Sequence, residues 1–289
     1  MQKNKPEPAA PAMPEIRAGQ SIELLKALHI LTVDGKMNQD SRRKLKQVYH
    51  LVQFIEPLLA QVLAERGGVT LVDHGAGKSY LGFILYDLFF KGIAAQYPTN
   101  KVWGIETRAP LVAGAVKLAE QLGFSQMAFL NESVAGAITT DKLPAQIDVV
   151  TALHACDTAT DDALRFGLEK KAKFIVLVPC CQAEVAAHLR NEKGETTAIK
   201  SISELWRHPI HTREFGSQIT NVLRCLLLEA NGYKVTVTEL VGWEHSMKNE
   251  LIIAQFKNLP RKAATERLKE VLATFGLEGM RERFAVPIA

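Results

Sequence analysis

Two groups of residues have types and spacings that could do chemistry. The first is Asp73-His74-Gly75-Ala76-Gly77-Lys78-Ser79-Tyr80, an acid ahead of two glycines, with a second acid, Glu106, further along. The second is a pair of turns, His154-Ala155-Cys156-Asp157 and Pro179-Cys180-Cys181-Gln182. Backbone without side chains lets a ligand come close, so the glycine turn reads as a binding turn. A histidine, an acid and thiols can hold an acceptor or take its proton, so the paired turns read as a place of reaction.

Three ligands compete for the glycine turn. A phosphate loop needs Gly-x-x-x-x-Gly-Lys-Ser/Thr; Gly77-Lys78-Ser79 supplies its end, but Val72 stands where the opening glycine belongs. A dinucleotide fingerprint needs a third glycine where Tyr80 stands. Both ligands carry phosphates, which Asp73 would repel. S-adenosylmethionine has no phosphate and carries an ammonium and a sulfonium, so an acid before the glycines suits it. On this reading Asp73, Gly75, Gly77 and Tyr80 bind the cofactor and Glu106 accepts hydrogen bonds from its ribose hydroxyls. Asn131, Glu132 and Ser133 would lie at the adenine edge, with His154 also bordering the cofactor. A turn used only to reverse the chain is the bland alternative.

The elements that must position these residues alternate. Thr70–Val72 reads as a first strand, Val102–Ile105 as a second, Met127–Leu130 as a third, Ile147–Leu153 as a fourth and Phe174–Val178 as a fifth, with helical patterns between. Such alternation predicts a parallel sheet with helices on both faces. Tyr233–Val241 and Glu250–Phe256 have no helix between them and should pair as a hairpin. The fold class expected is α/β: a Rossmann-like class I methyltransferase sheet of mainly parallel strands with a C-terminal antiparallel hairpin, plus N-terminal helices and a helical insertion. The organisation reads as a disordered tail over 1–19, a helical extension over 20–66 and a methyltransferase domain over 67–258. Within that domain 182–232 is a helical insertion, and 259–289 is a basic C-terminal helix and tail. In the extension, Asp40 or Ser41 could cap a helix running to about Arg66. Its buried stripe would be Leu45, Val48, Val52, Ile55, Leu59 and Val62, with a kink or break at Pro57.

Composition bounds the rest. The 289 residues, 47% apolar and 23% charged, suit one α/β domain with extensions. No apolar run approaches the ~20 residues of a membrane span, and no signal-peptide pattern opens the chain, so no membrane partner and a cytoplasmic location are expected. Four cysteines are too few for a disulfide scaffold. The net charge of +4 is mild, but its distribution is uneven. Lys36 to His50 holds five Lys/Arg against one Asp, and Lys257 to Ala289 seven against four Glu. Arg43, Lys46, His50 and Gln53 form a polar, basic stripe.

Neighbouring parallel strands lie about 4.8 Å apart, so His154, Cys156, Asp157, Cys180 and Cys181 should meet beside the cofactor's methyl. Four readings compete. In the first, His154 or Asp157 holds or deprotonates a methyl acceptor, with Cys156 and Cys180 beside it. In the second the cluster holds zinc; adjacent cysteines chelate one ion poorly and no Cys-x-x-Cys exists, so no metal is expected. In the third a cysteine is a nucleophile with a histidine base, but lacks an orienting partner. In the fourth the cysteines are packing residues.

Asp73-x-Gly-x-Gly-Lys-x-x-Leu81, the turn Leu-His-x-Cys with Thr160-Asp161, and Pro-Cys-Cys after the next strand resemble a little-characterised group of class I S-adenosylmethionine-dependent methyltransferases. That group includes methyltransferase-like proteins and part of the glutathione S-transferase C-terminal-domain-containing protein. The second turn is also similar to the His-x-Cys-Gly…Thr-Asp motif of a tRNA ribose 2′-O-methyltransferase family, from which Asp157 departs by replacing a glycine. Lys248-Asn249-Glu250 resembles a further shared element. The resemblance implies methyl transfer. The two basic ends suggest RNA, ribosomal or transfer, as acceptor, with a protein side chain second. A catalytically silent RNA- or ribosome-binding module of the same fold is the competing expectation; its RNA binding would depend on Arg43, Lys46 and the C-terminal basic residues.

Overall fold

Four N-terminal backbone N–H groups of any helix need partners, and here the chain supplies them early. The structure, a computed structural model, describes residues 15–153, 158–179, 183–191, 202–240, 250–259 and 261–285. Ser21 caps the short helix α1 (Ile22–Ala27), and Asn38 caps α2 (Gln39–Arg66) by accepting from the Ser41 backbone N–H at 2.8 Å. The cap therefore falls ahead of both Asp40 and Ser41, because a cap must precede the first helical residue. The expected stripe is buried in full, from Leu45 to Val62. Helix α2 also runs unbroken through Pro57. The bond that proline cannot make is that to the carbonyl four residues back, on Gln53, and both residues are exposed, so water can satisfy it.

The α/β core follows: β1 (Thr70–His74), α3 (Tyr80–Leu85), a wider helical turn at Tyr86–Phe90 closing into α4 (Lys91–Ile93), then β2 (Lys101–Ile105), α5 (Ala109–Gln121), β3 (Met127–Leu130) and α6 (Val134–Thr139). Next come β4 (Val149–Leu153), α7 (Thr158–Glu169), β5 (Phe174–Val178), α8 (Ala183–Asn191), a 3₁₀ turn at Ile202–Trp206 and α9 (Pro209–Ala230). The hairpin strands β6 (Tyr233–Glu239) and β7 (Glu250–Phe256) precede α10 (Lys262–Thr274).

The strands form one sheet in the order β3-β2-β1-β4-β5-β7-β6. The first five are parallel, while β7 runs antiparallel to both β5 and β6. This is the mainly parallel, Rossmann-like sheet with a terminal hairpin that the alternation predicts. Side chains alternate between its faces. Leu71 packs with Leu45, Phe83 and Phe90 on the α2–α3 side, and Val72 with Ala137, Phe166 and Leu223 on the α6–α7–α9 side. Ile16 joins the first core, and Arg17 reaches over the Tyr49 ring, so packing starts ahead of α1.

Helices α8 and α9 cross closely because Gly216 lacks a side chain. A Cβ there would stand 2.8 Å from the Ala186 backbone nitrogen and 2.9 Å from its Cα. Neither helix can yield without moving its other contacts. Gly216→Ala should therefore lower stability by about 1–3 kcal/mol in urea unfolding. Gly279→Ala, where a Cβ meets nothing within 4 Å, should change it little.

Candidate functional site

The site forms where β1 and β2 end. Asp73, on β1, pairs in register with Gly104 on one side and Thr151 on the other. Its carboxylate is 3% exposed. The Thr151 hydroxyl donates to Oδ1 at 2.8 Å, and the Gly82 backbone N–H donates as well. Burial outweighs both donors and pushes the carboxyl up to about 7. At neutral pH the group is poised between its two states, so a cation brought beside it would draw the proton off.

The turn after it is held open by backbone geometry. Gly75 and Gly77 have φ of 64° and 57°, the left-handed region that side chains disfavour. Ser79 adopts φ 54° with a buried hydroxyl that has no hydrogen-bond partner. The turn is stapled to β2: the Ala76 N–H donates to the Ile105 carbonyl at 3.0 Å and the Gly77 N–H to Glu106 Oε2 at 2.8 Å.

Glu106 is 7% exposed. Arg108 grips it with Nε to Oε1 at 2.9 Å and Nη2 to Oε2 at 3.0 Å. That guanidinium, with the backbone N–H groups of Arg108 and Gly77, holds the carboxyl down to about 2 against the opposing effect of burial. Asn131 donates to the carbonyls of Glu106 and Thr107 at 2.9 and 2.8 Å, which fixes the exit of β2 from the side of β3.

Asp73, Gly75, Gly77 and Tyr80 line one cavity of about 290 Å³. Val48, Leu81 and Leu153 give it apolar wall, and Lys44, Lys78 and Arg108 complete it with charge. The Tyr80 hydroxyl donates to the Leu28 carbonyl at 2.5 Å, which ties this wall to the end of α1. Glu106 adjoins the cavity through Gly77. Ser133 is spent on capping α6, where it accepts from the Gly136 N–H at 3.2 Å. Glu132 packs over the same turn, with its Oε2 2.4 Å from where a Gly136 Cβ would be. Both sit at the start of α6 and neither lines the cavity. His154, Cys156, Asp157, Cys180 and Cys181 lie outside the described residues. Cys225 is a free thiol whose pKa is pushed up to about 12, by burial first.

The residues fit S-adenosylmethionine: a buried acid for a cation, a glycine backbone that admits close approach, an apolar wall and an acid at the tip of the adjacent strand. Among the described residues no group of three or more His, Cys, Asp or Glu could hold a metal ion, and no helix is long and apolar enough to cross a membrane.

Three participants have no counterpart in the sequence reading of the site. Thr151 could have been flagged as a lone hydroxyl inside the buried run Val149–Leu153. Lys44 and Arg108 carry no local signal. His74, next to Asp73 in β1, does not line the cavity: it is 5% exposed, its ring centroid lies 5.6 Å from that of Phe166, and neither ring nitrogen is hydrogen-bonded. Burial drives its pKa down to about 4, although Glu106 acts the other way.

A family profile described as "Methyltransferase domain" matches residues 43–188. The chain belongs to that family of methyltransferase domains. It is similar to the glutathione S-transferase C-terminal domain-containing protein of Mus musculus, 24% identical over 238 residues, covering 76% of this chain and 34% of that protein. The chain thus spans about a third of the length of the curated relatives it matches. Among solved structures it is similar to the DszA carbon methyltransferase (TM-score 0.48, 13% identity, covering 83% of this chain and 59% of that one). It is also similar to magnesium protoporphyrin IX methyltransferase from Synechocystis PCC 6803 with bound S-adenosylhomocysteine (TM-score 0.40, 15% identity, covering 81% and 95%).

Two predictions follow from the displaced pKa values. If Asp73 must be ionised to meet the cofactor's cation, a group titrating at about 7 makes binding about tenfold weaker at pH 6 than at pH 8. Calorimetric titration with S-adenosylmethionine at the two pH values reads this step, and Asp73→Asn should flatten it. For His74 the folded pKa lies below the unfolded 6.5. Its contribution to stability is therefore whole above pH 6.5 and is lost as pH falls toward 4. Urea unfolding of the wild type should lose about 2 kcal/mol more between pH 7 and 5 than unfolding of His74→Leu.

Proposed function

We propose that this methyltransferase acts on RNA, ribosomal or transfer, and that Asp73, Gly75, Gly77, Tyr80 and Glu106 hold its cofactor. The observation that carries the RNA reading is the charge of the cavity mouth. Lys44 and Lys78 line the same cavity as Asp73, both are exposed, and neither has an ion pair among the described residues. On α2 the exposed Arg42, Arg43 and Lys46 extend the positive surface; the pairs of Arg42 with Glu15 and Arg43 with Asp40 are exposed and weak. The C-terminal basic residues differ. Arg261 and Arg267 share Glu229, Lys269 pairs with Glu266, and Arg283 reaches Asp161 and Glu184. A polyanion is drawn to α2 and the cavity mouth.

S-adenosylmethionine supplies a methyl on a sulfonium centre that is already activated for in-line displacement. What the chain adds is alignment and proton removal. Asp73 opposes the positive charge from beneath the turn. The backbone of Gly75 to Gly77 admits the ligand closely, Glu106 accepts from the ribose hydroxyls, and Val48, Leu81 and Leu153 exclude water along the wall. An acceptor oxygen or nitrogen held in line with the methyl would give up its proton to a base of the chain. His154 or Asp157 takes that role in this proposal, with Cys156 and Cys180 lining the acceptor. Glu132, Ser133 and His154 belong to the adenosine end. A cytoplasmic site of action is part of the same reading, supported by four cysteines without a pairing pattern.

The test is transfer of labelled methyl from S-adenosylmethionine into RNA from cells lacking the gene. Label should enter RNA, and Asp73→Ala with Glu106→Ala should cut the rate at least 100-fold. Label in protein instead would replace the RNA acceptor with a side chain. Tight RNA binding without transfer into any RNA fraction would identify a silent binding module.

A further inference from the structure

The RNA reading puts a polyanion at the cavity mouth, and the following rests on it. A carboxylate oxygen offers about two good acceptor directions. Glu106 has none to spare. Oε1 accepts from the Arg108 backbone N–H at 3.0 Å, from Arg108 Nε at 2.9 Å and, at 3.3 Å, from the Thr107 hydroxyl. Oε2 accepts from the Gly77 N–H at 2.8 Å and Arg108 Nη2 at 3.0 Å. Ribose hydroxyls cannot be accepted by a carboxylate whose positions are taken.

The two backbone donors are fixed by the turn and by the start of α5. The guanidinium is not: the Arg108 side chain is 66% exposed, and among the described residues it has no other carboxylate partner. It lies over the glycine turn, since a Cβ on Gly77 would stand 3.6 Å from Nη2. When it turns away and the Thr107 hydroxyl rotates off Oε1, one acceptor direction opens on each oxygen. That matches the two vicinal hydroxyls of a ribose. Only the Arg108 end of the pair is exposed, so water can meet the departing guanidinium while the ribose hydroxyls replace it at the buried carboxylate, and the freed fork of donors then faces solvent beside Lys44 and Lys78. A guanidinium there suits a phosphate bidentately.

We propose that Arg108 is a shared binding residue: it closes the ribose carboxylate in the free protein and, displaced by the cofactor, binds a phosphate of the RNA acceptor. Glu106 cannot hold the ribose and the guanidinium together, so occupancy of the cofactor site decides where Arg108 points. Cofactor and RNA then assist each other, by the same factor in both directions.

The test needs no turnover. Binding of total tRNA to the full chain is followed by fluorescence anisotropy with and without saturating S-adenosylhomocysteine, and binding of that ligand by calorimetry with and without tRNA. In the wild type each should tighten the other by about three- to tenfold. Arg108→Ala should bind S-adenosylhomocysteine more tightly than the wild type when RNA is absent, and its tRNA affinity should no longer respond to the ligand. Weaker ligand binding by Arg108→Ala, or coupling that survives it, would overturn the proposal. Failure of the RNA reading looks different: the wild type would show no salt-sensitive tRNA binding, or polyglutamate would gain affinity in place of tRNA. In that case the phosphate role of Arg108 goes with the reading, while the ligand affinity of Arg108→Ala still judges its role as a latch.

Discussion

A carboxyl group that is taken out of water must be compensated or neutralised, and Asp73 is only partly compensated. Thr151 from β4 and the Gly82 N–H from α3 each donate to it, yet burial still raises its pKa to about 7. The rest of the site is arranged around that unsatisfied acid. The glycine turn covers it, α2 and Leu153 wall it in, and the turn is stapled across to β2. A fold that merely reversed its chain after β1 would have no use for a group so costly to bury. A cationic ligand supplies the missing compensation.

Glu106 stands at the tip of the neighbouring strand in the opposite condition. It is nearly as buried, yet it is driven to about 2 because Arg108 and two backbone N–H groups meet its charge. Two carboxyls on adjacent strands thus titrate far apart: burial dominates at Asp73, and the Arg108 guanidinium dominates at Glu106. One responds to a positive charge brought to it. The other stays ionised, its charge met by its own donors. Together they describe a nucleoside bearing a cation more closely than they describe a nucleotide.

Local patterns were legible in the sequence. The alternating strands, the terminal pairing of Glu250–Phe256 with its neighbour and the apolar stripe of α2 each depend on residues close together in the chain. Asp73, Gly75, Gly77 and Tyr80 were legible for the same reason, and they share one cavity. Pro57 does not break α2, because the cost of a helical proline depends on whether the orphaned carbonyl reaches water, which periodicity does not state. Thr151, Lys44 and Arg108 reach the site through strand register and helix placement, so their identity alone carried no hint. Ser133 has a use the sequence reading did not include: its hydroxyl caps the next helix, since it accepts from the Gly136 N–H. His154, Cys156, Asp157 and Cys180 lie outside the described residues.

The central claim is that these two acids grip one cationic nucleoside between them. A crystal structure of the protein with S-adenosylmethionine measures this most directly. The account predicts the ligand in the cavity of Asp73, Gly75, Gly77 and Tyr80, with both ribose hydroxyls within hydrogen-bond distance of the Glu106 carboxylate. A ligand seated elsewhere, or a ribose held by another side chain with Arg108 still closed on Glu106, would contradict it.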